Sequence, residues 1–303
     1  MFNIQSILLN MKRNQYSIKD LENLTSIKAH TIRIWEQRYN LLQPKRTDTN
    51  IRYYEDDDLR KILNINLLYS NGFKISKIAK LSENEILSES RKLIMEKSQV
   101  NDEMVDLLLM SIIELDENKT YGMLLYAFEE KSIEELYTDI IIPLLHKIGE
   151  LWQLNTISIG HEHFFSNLLR AFFISKTSEL KIEKKVNKKV MMFLRPGEEH
   201  ELSLLLYNFI FKREGWQVIY LGSNVPYKDL KLTYDQMNPD LILTSFIART
   251  SKGDFQKILT KVLDNVPKEK MILSGYTSVM YKDLIPKEVS IIENQEDFEN
   301  IFV

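Results

Sequence analysis

The chain has 303 residues, 44% apolar and 27% charged, with no cysteine and a formal net charge of -3. That length accommodates two or three domains with real cores, and the lack of cysteine excludes disulfides, thiolate metal sites and cysteine nucleophiles together. The opening Met1-Phe2-Asn3-Ile4-Gln5-Ser6 has no basic region leading into an apolar stretch, and no apolar run reaches about 18 residues, so the expectation is a cytoplasmic protein. Basic side chains are in excess over the first 80 residues and acidic ones over the rest, which points to a polyanion partner for the N-terminal segment alone.

Within residues 15–82, Ser17 is placed to cap a short helix over 18–23. Leu24-Thr25-Ser26 makes a turn, and a second helix runs from about 28 to 39. Two short helices joined tightly form a helix-turn-helix, whose second helix fits a major groove. On that helix Ile32 and Trp35 are the apolar contacts, and His30, Thr31, Arg33 and Arg38 have polar reach. Pro44-Lys45-Arg46, a polar tip at Thr47-Asp48-Thr49-Asn50, and Ile51-Arg52-Tyr53-Tyr54 then read as a β-hairpin wing. Tyr53 and Tyr54 alternate faces, one inward and one outward.

The ordered series Thr31-Ile32-Arg33-Ile34-Trp35-Glu36-Gln37-Arg38-Tyr39-Asn40-Leu41-Leu42, then Pro44 and Arg46, then Arg52-Tyr53-Tyr54 and the acidic Glu55-Asp56-Asp57-Asp58-Leu59, resembles the MerR family of transcription regulators. The resemblance implies DNA contacts from Thr31, Arg33 and Tyr39 on the recognition helix and from Arg46, Arg52 and Tyr53 at the wing. Phosphate contacts would supply affinity and salt dependence, and base-edge contacts sequence preference.

Residues 83–180 read as helix throughout, with Pro143 the lone proline and apolar residues three and four apart: Leu107, Leu108, Ile112, Leu115, then Ile140, Leu144, Leu145, Ile148, Leu151. Trp152 is followed after nine residues by Glu162-His163. His161 and His163, two apart on a helix, point about 200° from each other and do not share one metal. A tryptophan packed in a bundle beside an exposed Glu-His pair accounts for the same residues. The pattern is nonetheless similar to that of the cobalamin-dependent MerR-type regulators, including the light-sensing repressors. There a four-helix bundle caps the upper face of the corrin, and Trp152, Glu162 and His163 take the positions beside the upper adenosyl group. Light-sensing members carry a histidine directly after the tryptophan. Gln153 stands there in this chain, a departure that bears on the bis-histidine photoproduct and not on cofactor binding.

A charged stretch, 181–189, reads as a linker. Beyond it, strand candidates at 190–194, 218–221, 241–244, 271–273 and 290–292 alternate with helix-length segments, the pattern of an open parallel sheet covered on both faces. Ligands of such sheets sit outside the carboxyl ends of the strands. The loop after the first strand holds Glu198 and His200, and Glu198 is placed to hold one ring nitrogen of the histidine. Glu198-x-His200-x-x-Ser203 resembles the lower-ligand motif of cobalamin-binding Rossmann-like domains, with serine in place of the usual glycine. The resemblance implies His200 as the cobalt ligand and Ser245 and Gly275 as further cofactor contacts. Tyr276 replaces a second glycine and is expected to press on the slot for the nucleotide tail. Tyr207 and Trp216 read as helix packing and a strand start, and 222–226 as a turn closing the second strand.

The fold expected is therefore multidomain, α and α/β: a winged helix-turn-helix over 1–82, a helical bundle over 83–180, and a Rossmann-like, flavodoxin-type parallel sheet over 181–303. The function expected is a sequence-specific DNA-binding regulator, not an enzyme. Its DNA affinity or oligomeric state would follow a cobalamin, as adenosylcobalamin, held between bundle and sheet. Operator DNA and a homodimer or higher homo-oligomer are the implied partners. Two other readings fit parts of the chain: a corrinoid methyl carrier or mutase component, which leaves the basic module without a role, and a MerR-type regulator with a degenerate, cobalamin-free sensor domain.

Overall fold

The computed structural model describes residues 15–47, 49–97, 103–182, 186–248 and 250–302. The N-terminal hexapeptide, Asp48 of the wing tip and Glu183, Lys184 and Lys185 of the charged stretch lie outside the described residues. The chain divides into two compact units, Met1–Phe165 and Ser166–Val303.

Among the described residues, the first helices of the first unit are α1 (Ile18–Thr25) and α2 (Ala29–Tyr39). Ser17 caps α1 reciprocally with Asp20, satisfying donors that the first turn leaves open. The helix runs two residues past its expected end because Thr25 turns its hydroxyl back onto the Leu21 carbonyl, 2.7 Å away. Ser26, at φ 62°, makes the turn. Strands β1 (Lys45–Arg46) and β2 (Arg52–Tyr53) form the antiparallel wing, with Lys45 opposite Tyr53 and Arg46 opposite Arg52.

The acidic run after the wing opens a further helix, α3 (Asp56–Ser70). Glu55 sits at its N-cap, and Asp58 accepts from the Glu55 amide at 3.0 Å. Carboxylates concentrate there because the N-terminal end of a helix carries the positive end of its dipole. After α4 (Ile75–Ile78) come the bundle helices α5 (Glu83–Lys97), α6 (Glu103–Ile113), α7 (Glu117–Glu130) and α8 (Ile142–Gln153). A π-helical turn, Leu136–Ile141, leads into α8. It widens the coil just ahead of Pro143, whose ring clashes with the carbonyl four residues back in a regular helix. The division between the units falls within α9 (Ile159–Glu179).

The second unit alternates β3 (Lys189–Phe193), α10 (Leu202–Arg213), β4 (Gln217–Gly222), α11 (Tyr227–Met237), β5 (Leu241–Ser245), α12 (Lys252–Leu263), β6 (Met271–Ser274), α13 (Tyr276–Met280), β7 (Ser290–Ile291) and α14 (Gln295–Glu299). The sheet is parallel throughout, in the order β4-β3-β5-β6-β7. Val190, Met191, Met192 and Phe193 are all fully buried, as a strand covered on both faces requires. Met191, Phe193 and Ile242 pack with Leu230, Phe255, Leu259 and Val262 into one core. An aromatic cluster of Phe211, Trp216, Phe298 and Phe302 joins α10 to the C-terminal segment. From β3 the chain passes to β4 on one side and returns to β5 on the other. This switch of direction opens a crevice at the carboxyl ends of β3 and β5.

Candidate functional site

The loop leaving β3 delivers Glu198 and His200 to that crevice. Gly197 turns it at φ 76°, and Asn224, in the loop after β4, accepts from the Gly197 amide at 2.7 Å. Glu198 is fully buried. One of its oxygens meets His200 Nδ1. The other accepts from the Ala248 amide at 3.1 Å and from the Arg195 guanidinium at 3.5 Å. Burial alone pushes this carboxyl up, but the His200 hydrogen bond, the charges of His200 and Arg195 and the Ala248 amide together hold it below the usual carboxylate range. An ionised Glu198 makes Nδ1 the protonated nitrogen of His200. The lone pair then belongs to Nε2, the tautomer a metal ligand needs. The donor set thus fits a single histidine that would hold a cofactor metal through Nε2.

Arg195, which sequence reasoning passed over, is 6% exposed and lies with its guanidinium carbon 5.8 Å from the centre of the Phe246 ring. It supplies the positive charge that lets Glu198 stay ionised in the interior. Its position directly after a buried strand was the available signal, since an arginine there has no route to solvent along the sheet.

Deeper in the crevice runs a chain of hydroxyls. Ser203 donates to Ser245 at 3.4 Å, and Ser245 lies 2.6 Å from Ser274. Tyr207, one turn beyond Ser203 on α10, stands with its ring 4.9 Å from that of Phe298. Gly275 has φ +92°, and a Cβ there would stand 2.6 Å from the Phe246 carbonyl oxygen. Tyr276 begins α13 half-buried.

In the first unit Trp152 is fully buried near the end of α8. Arg60 of α3 lies over its ring at 5.3 Å, and its indole Nε1 meets no acceptor among the described residues. Glu162 is 6% exposed and pairs with His163 Nδ1 at 2.7 Å, while the His163 side chain is 40% exposed. His161 instead turns its Nδ1 to the Ser158 hydroxyl, 3.0 Å away. Among the described residues no three His, Asp or Glu side chains converge as a metal site.

At the N-terminal module, Ile32 and Trp35 are buried and hold α2 down, leaving Arg33 exposed and Thr31 and Tyr39 half-exposed on its surface. At the wing Arg46 is exposed, and its guanidinium is fixed by the Asn50 side-chain oxygen at 2.6 Å. Arg52 and Tyr53 are half-buried. Tyr54 is the inward partner of the pair: it is fully buried, its backbone pairs with Tyr16, and its hydroxyl donates to Glu36. Glu36 is thereby a support for the wing.

Residues 16–85 match the model of the MerR HTH family of regulatory proteins, and residues 104–174 match that of a B12 binding domain. The chain carries a MerR helix-turn-helix domain and a B12-binding domain. It is homologous over 96% of its length, at 24% identity, to the HTH-type transcriptional repressor CarH of Myxococcus xanthus, of which the match covers 99%. The repressor CarA of the same organism is 23% identical over 81% of each chain. Among solved structures, the monomethylamine corrinoid protein of Methanosarcina barkeri superposes with a TM-score of 0.53 at 15% identity, over 67% of this chain and 99% of that one. That likeness concerns the fold.

All six residues expected to contact DNA fall within the MerR segment, and Trp152, Glu162 and His163 fall within the B12-binding segment. Glu198, His200, Ser203, Ser245 and Gly275 follow both matched segments, on the parallel sheet.

Proposed function

We propose that this MerR-type protein is a DNA-binding transcription regulator whose DNA affinity or oligomeric state responds to a cobalamin. The observation that carries the reading is the Glu198–His200 pair at the carboxyl end of β3, in a chain that also carries a MerR module. Bound cobalamin would supply a cobalt centre whose axial groups exchange. His200, oriented by Glu198, would hold the cobalt, with Ser203, Ser245 and Gly275 bordering the crevice beside it. Trp152, Glu162 and His163 are assigned to the group above the cobalt. We take that group to be adenosyl, because a buried carboxylate suits sugar hydroxyls and an indole suits a flat base.

Thr31, Arg33 and Tyr39 would meet DNA from α2, and Arg46, Arg52 and Tyr53 from the wing. We assign the protein no catalytic activity, a cytoplasmic location and a homodimeric or higher working state on double-stranded operator DNA. A cofactor that binds two assemblies unequally shifts their balance by that difference, and so reaches the DNA.

The test is an absorption titration of the purified chain with adenosylcobalamin in darkness, beside a His200→Ala variant, with operator binding measured in the same samples. The expected result is a base-off, histidine-ligated spectrum in the parent, its loss in the variant, and a change in DNA affinity that follows the spectrum. A parent that leaves the free-cofactor spectrum unchanged while still binding DNA overturns the proposal in favour of a regulator with a cobalamin-free sensor domain.

A further inference from the structure

Helix α2 turns Ile32 and Trp35 into its module. The other side carries His30, Arg33, Ile34 and Gln37, all exposed, at the i, i+3, i+4, i+7 spacing that puts four residues on one helix face. Ile34, with 49% of its area exposed, is the apolar member of that set. Arg38, exposed at the C-terminal end of the helix, has its guanidinium carbon 5.7 Å from the centre of the Tyr39 ring. The middle of the face therefore presents an isoleucine between a guanidinium, Arg33, and a carboxamide, Gln37.

A single exposed isoleucine on a protein surface needs no explanation. This one lies on the side of a second helix-turn-helix helix that faces the floor of the major groove, among groups that suit a polyanion. The edge groups the base pairs present there donate or accept hydrogen bonds, with one exception, the C5 methyl of thymine. Isoleucine can do neither, so over any other base it covers polar groups without giving them partners. Over thymine it takes two apolar surfaces out of water at once. Branching at Cβ also holds a helical isoleucine in one main rotamer, so little side-chain freedom is lost on contact.

We infer that Ile34 is a specificity-determining residue that reads the C5 methyl of a thymine in the operator. The inference rests on the DNA-binding reading of the MerR module. In the test, the full chain selects sites from a pool of random-sequence duplexes, with and without adenosylcobalamin in darkness. The selected duplex is then remade with deoxyuridine at one thymine at a time, which keeps the pairing and removes one methyl. The expected result is a position at which the parent binds the uracil duplex about fourfold more weakly, the worth of one methyl-sized group taken out of water. Ile34→Ala, whose side chain stops at Cβ, should bind the thymine duplex about as weakly and no longer distinguish thymine from uracil there. Its slope of log affinity against log salt should stay that of the parent, since no phosphate contact is lost.

A selected site without thymine, or one at which no uracil weakens binding, overturns the inference and leaves the DNA-binding reading standing. So does a methyl effect of full size in Ile34→Ala, which assigns the methyl to another residue. Selection of no sequence at all overturns both. The uracil comparison uses the parent chain, so the test does not depend on how well the variant folds.

Discussion

Asn64 and Gln153 hold each other across the first unit. The Asn64 amide donates to the Gln153 main-chain carbonyl at 2.9 Å, and the Gln153 side chain donates back to the Asn64 oxygen at 3.2 Å. Both residues are buried. Gln153 is the last residue of α8, where carbonyls lack a partner within the helix, and Asn64 supplies one from the helix that follows the wing. One turn earlier on α3, Arg60 covers Trp152. Gln153 is thus a structural contact between the MerR module and the bundle.

Asn64→Ala leaves a buried helix-end carbonyl and a buried glutamine amide unpaired. It is expected to cost about 1–3 kcal/mol, read as a lower midpoint in urea unfolding of the full chain. An unchanged midpoint would show that the pair contributes nothing net.

Arg33 and Arg46 present exposed guanidinium groups from the helix and the wing. Replacing either with alanine is expected to weaken operator binding and to lower the slope of log affinity against log salt by about one phosphate contact. Asn50→Ala keeps every charge but frees Arg46 from its 2.6 Å hydrogen bond. It should weaken binding while leaving the slope intact. Titrations at several salt concentrations separate the two effects.

His146 and Glu150, one turn apart on α8, respond to pH in opposite senses. Burial pushes the Glu150 carboxyl up, opposed by Lys147, and pushes the His146 imidazole down. A raised carboxyl penalises the fold at neutral pH, and the penalty fades as pH falls through the folded value to the unfolded one near about 4.3. A depressed imidazole adds stability above an unfolded value near about 6.5, and that stability is lost as pH falls. Thermal midpoints from pH 4 to 8 check both expectations. Glu150→Gln should stabilise most at pH 8 and not at all at about pH 4, and His146→Gln should flatten the loss below about pH 6.5.

Gly275→Ala places a methyl against the Phe246 carbonyl at a backbone angle that L-residues rarely adopt. It is expected to destabilise the chain by more than about 1 kcal/mol. Urea unfolding checks this. A neutral substitution would mean that the turn after β6 relaxes freely.

Much of the fold was legible because its signals are local. Ser17 at the start of α1 and the alternation of buried strands with helix-length segments each concern residues a few positions apart. The strands fell within a residue or so of their expected positions, since a continuous apolar run bounded by turns leaves little choice. Tyr207 reads as packing from its place on an apolar helix face, and its ring does pack on Phe298 of the C-terminal segment.

From the sequence alone come the order of the modules, the strand positions and the presence of Glu198 and His200 in the loop after β3, because periodicity, capping and loop chemistry act over a turn or two of chain. The tertiary structure alone decided that Asn64 meets Gln153, 89 positions away, and that Glu198 reaches the Ala248 amide, 50 positions away. Those contacts depend on which buried polar groups packing brings face to face, and a hydrogen-bonding side chain in a sequence carries no mark of the distant partner that will satisfy it.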